Sequence, residues 1–234
     1  MALPKMGGTI YNTVIPSSNT PIKFKPFTVR QQKALMIAQQ SEDLTVMADT
    51  LKNVIHECVV EDIDVDRLAI FDIEYLFLQL RSKSVGETVE LFFACDDCGT
   101  QTKIAFDLSA VKVTTPEGHT NRIDLGDNIG IIFKYPGIDM LKYLDNIDMN
   151  DVDAVFGIIV SCVDSIYDEE QIHYAKEQTR EELESFLDSL STQQFAKVQA
   201  FFETMPRMQQ QVVFTCPKCG LGYNKSLSGI NNFF

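Results

Sequence analysis

Four cysteines of this chain form two Cys-x-x-Cys pairs, a spacing that is typical of metal binding. The pairs are Cys95–Cys98 and Cys216–Cys219, and a glycine follows each. A tight hairpin turn can point two thiolates at one ion, and the trailing glycine can take the positive φ that such a turn requires. Four thiolates match tetrahedral Zn²⁺ with a closed coordination shell. The sequence therefore predicts a structural zinc site, with Cys95, Cys98, Cys216 and Cys219 as its ligands.

The two pairs are unusually far apart. Between Cys98 and Cys216 lie 117 residues, whereas the second pair of an ordinary zinc ribbon follows after roughly 15–20 residues. Each pair has a strand-like segment on both sides, and we call a pair with its two flanking strands a knuckle. We infer a split ribbon, in which a long segment is inserted between the first knuckle and the second.

Other interpretations of the cysteines remain. The pairs could be reduced cysteines without a shared role, or one could be a thioredoxin-like redox pair. A redox pair normally opens a helix after a strand, whereas both pairs here lie inside predicted hairpins. A catalytic zinc is disfavoured because four thiolates leave no position for water. Nothing marks the chain as secreted, which argues against disulfides, and we expect Cys58 and Cys162 to pack as small apolar residues.

The composition narrows the classes of partner. The chain has 234 residues, with 20 Lys and Arg against 33 Asp and Glu, and a formal net charge of −13. Proteins bind nucleic acids and anionic membranes largely through Lys and Arg, so this charge argues against both. The apolar runs are too short to span a bilayer, and no signal peptide is evident after Met1–Lys5. We expect a cytosolic protein that binds other proteins and has no small-molecule substrate.

The N-terminal part predicts a hairpin followed by three helices. Thr9–Val14 and Ile22–Phe27 are strand-like and flank a turn-rich segment. The capping-box pattern Thr28–Gln31 starts the first helix. Helices are predicted at about 28–40, 43–58 and 72–83. The third helix is apolar on most sides, so we expect it deep in the core.

From Gly86 the pattern switches to strands, and from Ile138 to about Thr204 it returns to helices. Strands are predicted at 87–94, 102–108, 111–114, 122–125, 129–135, 210–215 and 223–227. Helices are predicted near 138–146, 151–164, 179–189 and 192–204, the last with a capping box at Ser191–Gln194. We interpret the acidic clusters Asp168–Glu170 and Glu181–Glu182 as solvated helix starts.

These elements predict an α+β protein, made of β-hairpins and a split zinc-ribbon-like element with a large helical insertion. The N-terminal hairpin and helices occupy residues 1–86, and a β region with the first knuckle occupies 87–136. A helical segment covers 137–206, and the second knuckle (207–234) packs on the first. These segments form either one compact unit or two tightly coupled subdomains.

No sequence pattern predicts an active site. Nucleophile elbows, phosphate loops, dinucleotide fingerprints and metalloprotease helices are all missing from the sequence. The histidines His56, His119 and His173 are scattered, and each is better interpreted as a surface or satisfied core residue than as a catalytic base. We therefore predict that the protein is not an enzyme.

The C-terminal aromatic pair Phe233–Phe234 has two interpretations. Terminal aromatic side chains are usually either tucked into the core or offered to a partner. The usual burial of Phe favours the core.

Several stretches resemble the baseplate hub assembly proteins of T-even-type contractile-tailed phages. They are Ala2–Lys5 with the first hairpin, Lys25–Val29, Phe71–Glu87, Phe186–Leu187, Phe201–Pro206 and Cys216–Gly220. Together they span nearly the whole chain, and Phe71–Glu87 is quite specific. The middle of the chain, about residues 109–180, contributes little to the resemblance.

The resemblance implies a role in building the central hub of the tail baseplate, in the cytoplasm of the infected host, with other baseplate hub proteins as partners. It supplies no catalytic residues. Our leading hypothesis is a chaperone-like assembly factor. The alternatives are a permanent structural subunit of the hub in the virion, a zinc-ribbon nucleic-acid-binding protein, which the acidic charge disfavours, and a redox enzyme.

Overall fold

A computed structural model describes residues 8–140 and 152–229 of the chain. This part contains six helices and eleven strands in small antiparallel sheets, so the fold is mixed α+β, as predicted. The chain divides into two compact units: unit 1 is Met1–Thr114 with Arg207–Phe234, and unit 2 is Thr115–Pro206. The first boundary falls inside residues 87–136, which the sequence pattern groups as one β region.

Unit 1 begins with a hairpin and three helices, in the predicted order. The elements are β1 (Tyr11–Ile15), β2 (Thr20–Phe24), α1 (Val29–Ser41), α2 (Leu44–Cys58) and α3 (Ile70–Ser84). The amide of Thr28 donates to the side chain of Gln31 (2.9 Å), as the predicted capping box requires. At the start of α2 the Asp43 carboxylate accepts from the amides of Thr45 and Val46. Both contacts satisfy polar groups that a helix start leaves free.

Helix α3 is the most buried helix of unit 1. Its buried side chains lie on several faces: Phe71, Asp72, Ile73, Leu76, Phe77, Leu78, Leu80 and Ser82. Asp72 has no exposed surface, and its carboxylate accepts from the amide (2.8 Å) and hydroxyl (2.6 Å) of Ser17 and from the amide of Ala69 (3.2 Å). Burial raises the pKa of Asp72, although these hydrogen bonds oppose the shift. The carboxylate thus ties the turn of the first hairpin to the start of α3.

The rest of unit 1 consists of two small sheets. The strands are β3 (Thr88–Ala94), β4 (Gln101–Asp107), β5 (Lys112–Thr114), β10 (Arg207–Thr215) and β11 (Gly222–Ser228). Strands β3 and β4 pair with each other, and β10 lies between β11 and β5. Because Thr114 pairs with Arg207, the chain leaves and re-enters unit 1 at adjacent positions. All of unit 2 is therefore inserted between β5 and β10.

Unit 2 is built on one four-stranded antiparallel sheet with strand order β6-β7-β8-β9. Its elements are β6 (Arg122–Gly126), β7 (Ile129–Phe133), α4 (Val152–Cys162), β8 (Val163–Tyr167), β9 (Ile172–Tyr174), α5 (Arg180–Asp188) and α6 (Thr192–Glu203). Aromatic rings occupy the centre of its core. Phe201 stacks on Phe133 with ring centroids 4.9 Å apart and meets Phe202 edge-on at 5.0 Å. The core therefore combines apolar burial with favourable ring geometry.

The hairpin β8–β9 corrects the sequence prediction, which assigned only helices and connections between 138 and 204. The helix predicted for 151–164 ends at Cys162, and Val163 directly begins β8. The reason is tertiary: β7 is buried on both faces and pairs with β8 on the side away from β6. Asp168–Glu170 is likewise a hairpin turn rather than a helix start, because the Asp168 carboxylate accepts from the amides of the turn.

Other local features of unit 2 depend on residues that are neighbours in sequence. The turn between β6 and β7 has positive φ at Asp127 (52°) and Asn128 (57°), as a tight hairpin turn requires. Ser191 and Gln194 form a complete capping box at the start of α6. Glu182 closes a similar box at the start of α5, where the sequence pattern placed an acidic helix start.

Some predictions lie outside the described residues. The helix predicted near 138–146 lies almost entirely beyond Met140, and the aromatic pair Phe233–Phe234 lies beyond Gly229. Among the described residues, none of the helices has the length and apolar character needed to cross a membrane.

Candidate metal centre

The two cysteine turns share one backbone design. In the first, the amide of Cys95 donates to the carbonyl of Thr100 (2.9 Å), and the amide of Gly99 donates back to the carbonyl of Cys95 (2.9 Å). The second repeats both bonds, with the amide of Cys216 donating at 2.8 Å and that of Gly220 at 3.0 Å. Both glycines have positive φ, 68° and 76°, as the sequence predicts. Each strand pair therefore ends in a turn that holds two thiols at a fixed spacing.

The fold brings all four thiols of the two pairs together. The Sγ atoms of Cys95 and Cys219 are 3.5 Å apart, and those of Cys98 and Cys216 are 3.6 Å apart. All four sulfurs lie within 4.8 Å of one another. These distances exceed a disulfide bond, about 2.05 Å, but match the edges of a tetrahedron of sulfurs about 2.3 Å from a zinc ion, which are about 3.8 Å long. The four thiols are therefore close enough to share one metal ion.

The four cysteines differ in their exposure to solvent. Cys95 and Cys216, the first cysteines of their pairs, are buried, whereas Cys98 is half-buried and Cys219 is exposed. The cluster thus has an inner side that is closed by the protein and an outer side open to solvent.

Hydrogen bonds favour the thiolate form of the two inner cysteines. The pKa of Cys95 is lowered to about 6, first by the hydroxyl of Tyr223 and then by the amides of Cys98 and Asp97. The pKa of Cys216 is also lowered, by the equivalent amides of its own turn. Since the thiolate is the form that binds metals, both sulfurs are prepared as ligands by their surroundings.

The pKa of the fourth thiol, Cys219, is shifted in the opposite direction. The amide of Leu221 lowers the pKa of Cys219, but desolvation and hydrogen bonds to the three neighbouring sulfurs outweigh it and raise the pKa to about 12. Several thiolates this close repel one another, so the last proton is held tightly. A divalent cation bound by the cluster would supply the positive charge that lets the fourth thiol ionise.

Tyr223 supports the site, and sequence reasoning missed it. Its hydroxyl donates to Sγ of Cys95 (3.1 Å) and accepts from the amide of Asp96 (2.8 Å), so a residue of β11 holds the turn of the other knuckle. Its ring stacks on Phe214, which stacks on Phe93, both at 5.0 Å. The available signal was position: Tyr223 lies in the strand that follows the second pair, opposite Phe214 in the sheet.

The remaining cysteines and histidines of the described part lie apart from this cluster. Cys58 and Cys162 are buried among apolar residues, which raises the pKa of each to about 11. His119 contacts Thr204 and Tyr135, each at 2.9 Å, and His173 contacts a carboxylate oxygen of Asp168 at 3.0 Å. Among the described residues, the four-cysteine cluster is the one group of three or more ligand side chains close enough to share an ion.

Comparisons with known proteins identify the family. Neither the curated proteins nor the solved structures include a match to this chain. The family model described as T4 bacteriophage base plate protein matches residues 9–234, which covers nearly the whole chain. The chain therefore belongs to the T4 bacteriophage base plate protein family.

Proposed function

We propose that this protein is a non-enzymatic assembly factor of the baseplate hub, which binds other hub proteins through a fold stapled by structural zinc. The observation that carries this proposal is the four-cysteine cluster in a baseplate-family chain. Four thiolates fill a tetrahedral shell and leave no position for water or substrate, so the chemistry of the donor set supports folding rather than catalysis.

In this proposal Cys95, Cys98, Cys216 and Cys219 hold the ion, which supplies the bonds that join the two knuckles. The joined turns are 118 positions apart in sequence at the contact between Cys98 and Cys216. A cross-link that closes so long a loop restricts the unfolded chain strongly, and zinc ligation contributes directly to folding free energy. The short β5–β10 pairing lies at the opposite end of β10 from Cys216, so the ion would hold an end of the strand that this pairing does not reach.

The metal itself can be tested by measuring the zinc content and the unfolding temperature of purified protein. We expect one zinc per chain, and loss of zinc together with a lower unfolding temperature in the Cys216→Ser variant. Cys162→Ala is the matched control, because it removes a buried thiol outside the cluster and should keep the metal. Unchanged metal content and unfolding temperature in Cys216→Ser would contradict the zinc site.

The assembly role is supported by charge as well as by family. A net charge of −13 disfavours nucleic acid and anionic membranes as partners, which leaves other proteins. Baseplate proteins work in contact with other baseplate proteins, and we place this one in the host cytoplasm during assembly. A chaperone-like factor of this kind would leave before the particle is complete.

The role can be tested by quantitative mass spectrometry of isolated hub intermediates and of mature particles. An assembly factor should be abundant in the intermediates and missing from the particles. The same fixed stoichiometry in both would instead make the protein a permanent structural subunit of the hub. Failure to find it in either fraction would contradict a baseplate role altogether.

A further inference from the structure

Unit 2 contains a cavity of about 350 Å³, which we call the unit 2 cavity. The apolar part of its lining is Val160, Val163, Ala175 and Leu183, and these side chains belong to the core of the unit or pack against it. The rest of the lining is largely polar. A volume of roughly 300–1,000 Å³, with apolar walls and a few polar groups, is typical of a site for a small molecule.

The basic residues of unit 2 are concentrated at this cavity. The described residues of unit 2, 115–140 and 152–206, include fifteen Asp and Glu but only five Lys and Arg. Three of the five, Lys134, Lys176 and Arg180, line the cavity, whereas none of the fifteen acidic residues does. They come from the end of β7, the connection between β9 and α5, and α5 itself. The fold, rather than a local run of basic residues, therefore brings these cations together.

The carboxylates closest to these cations leave most of the positive charge unmatched. Glu184 accepts from Nε of Arg180 (2.6 Å), and this contact does not use the two terminal nitrogens of the guanidinium. Glu184 is the largest influence that raises the pKa of Arg180, and Glu181 is the smallest. Lys134 and Lys176 form no ion pair with a described residue, and Lys176 lies over the ring of Tyr174 (5.3 Å). One carboxylate against three cations leaves two positive charges for a ligand.

Gly157 and Arg180 are both unfavourable choices for their local structure. Glycine is among the least favourable residues inside a helix, yet Gly157 lies in the middle of α4. Arg180 is the first residue of α5, where the helix dipole disfavours a positive charge. The two residues meet, because a Cβ on Gly157 would lie 2.9 Å from Nη2 of Arg180. Local costs at two positions that converge on one cavity are typical of a functional site.

We propose that the unit 2 cavity binds a small organic phosphate. Arg180, Lys134 and Lys176 surround the phosphate group, and the organic part lies against Val160 and Leu183. A phosphate monoester carries about −1.5 to −2 charge at pH 7, which matches the two unmatched positive charges, whereas a carboxylate carries only one negative charge. A guanidinium also binds phosphate oxygens through paired hydrogen bonds. This inference goes beyond the proposed assembly function and does not depend on it.

Titration calorimetry of the purified full chain tests the proposal with three probes: phenyl phosphate, inorganic phosphate and benzoate. Phenyl phosphate should bind at one site per chain, about tenfold or more tightly than benzoate because of its higher charge. It should also bind more tightly than inorganic phosphate, because its ring gains apolar burial. No binding of either phosphate would overturn the proposal. Equal affinity for benzoate would overturn the choice of phosphate, and equal affinity for inorganic phosphate would overturn the organic part of the ligand.

Variants test whether the named cations form the site. Arg180→Gln should lower the affinity for phenyl phosphate about tenfold or more, because it removes charge-assisted hydrogen bonds. The Lys134→Gln/Lys176→Gln double variant should also lower it. Lys197→Gln is the matched control, since the Lys197 ammonium contacts the carbonyl of Asp124 and does not line the cavity. An equal loss of affinity in Lys197→Gln and Arg180→Gln would overturn the site.

Gly157→Ala separates binding from folding. Alanine favours the helix, so the unfolding temperature should stay the same or rise. The added Cβ displaces the Arg180 guanidinium, so the affinity for phenyl phosphate should fall. Unfolding temperatures of the other variants should match the wild type, because Lys134, Lys176 and Arg180 are exposed. Wild-type affinity in both Gly157→Ala and Arg180→Gln would contradict the proposal.

Discussion

The two units stabilise their sheets in different ways. In unit 2, strand β7 lies inside a four-stranded sheet, and Ile131 and Phe133 are completely buried. In unit 1, β3 and β4 form a two-stranded sheet, no side chain of β3 is fully buried, and Phe106 is the one buried side chain of β4. Isolated two-stranded hairpins are marginally stable at best. The strands that end at the four thiols share a core cluster of eight buried residues, whereas the core cluster of unit 2 has twelve. In the proposed function, the zinc ion adds stability to this smaller core.

The sharpest way to perturb unit 2 alone is Phe201→Ala. Phe201 is buried and stacks on Phe133 and His119, with ring centroids 4.9 and 5.4 Å away. Removing such a ring should destabilise unit 2 by about 3–5 kcal/mol, without loss of zinc. Denaturant unfolding followed by a probe in unit 2, together with metal analysis, measures both effects.

Phe92→Ala is the control, because Phe92 is 60% exposed on β3 and should change stability by less than about 0.5 kcal/mol. Loss of zinc in Phe201→Ala would show that the two units do not stabilise themselves separately.

Ser17→Ala tests the helical part of unit 1, where most side chains of α3 are buried. The variant deletes the 2.6 Å hydrogen bond from the Ser17 hydroxyl to the buried Asp72 carboxylate. Hydrogen bonds to charged groups contribute about 1.5–3 kcal/mol, so unit 1 should lose stability in this range in denaturant unfolding.

Ser18→Ala is the matched control, since the neighbouring Ser18 hydroxyl contacts only exposed groups of its own turn. An equal effect from both variants would contradict a specific contact between Ser17 and Asp72.

Tyr223→Phe tests whether the Tyr223 hydroxyl supports Cys95 as a metal ligand. The variant keeps the ring stack on Phe214 but removes the hydroxyl that donates to Cys95 and accepts from the Asp96 amide. Loss of a supporting contact around a metal site typically weakens metal affinity about 10–100-fold. Competition with a chelator of known zinc affinity measures the change.

Tyr174→Phe is the comparison variant, because it removes a hydroxyl from an exposed tyrosine of unit 2 and should leave the zinc affinity unchanged. Equal affinities for wild type and Tyr223→Phe would remove Tyr223 from the account of the site.

The smallest expected effect is a pH dependence that belongs to unit 2. The Thr204 hydroxyl donates to the carbonyl of Ala200, so it accepts from Nδ1–H of His119, and Nε2 then accepts from the Tyr135 hydroxyl. Desolvation lowers the pKa of His119 from its ordinary 6.5. The neutral form of the His119 ring therefore fits these hydrogen bonds, and protonation of Nε2 breaks the one with the Tyr135 hydroxyl.

The direction of the pH dependence follows from the lowered pKa of His119. Below pH 6.5 the unfolded chain binds the proton before the folded one, so the stability contributed by neutral His119 is full above pH 6.5 and falls as the pH drops through its lowered folded value. Thermal unfolding of unit 2 across this range should be less pH-dependent in His119→Gln than in the wild type. An unchanged pH dependence would exclude His119 as its source.

The features that could be predicted from sequence are those decided by neighbouring residues. The positive φ of Gly99 and Gly220 and the capping boxes at Thr28 and Ser191 depend on contacts within five positions along the chain. The meeting of the two cysteine pairs was also predictable, because four thiols at this spacing have a strong common chemistry.

Features set by distant partners were missed. Strand β8 forms because β7 pairs with a strand on each side. The apolar run that ends at Val163 contains no residue that signals the end of a helix. The role of Tyr223 depends on a contact 128 positions away. In each case the deciding energy is tertiary and leaves no periodic signal in the sequence.

Hydrogen exchange of the full chain with and without bound zinc tests the central claim most directly. The account predicts that removing zinc with a chelator strongly increases amide exchange in residues 88–107 and 207–228, while residues 122–133 of unit 2 keep their protection. Unchanged exchange in residues 88–107 and 207–228, or an equal increase in both units, would contradict the claim that zinc stabilises unit 1 alone.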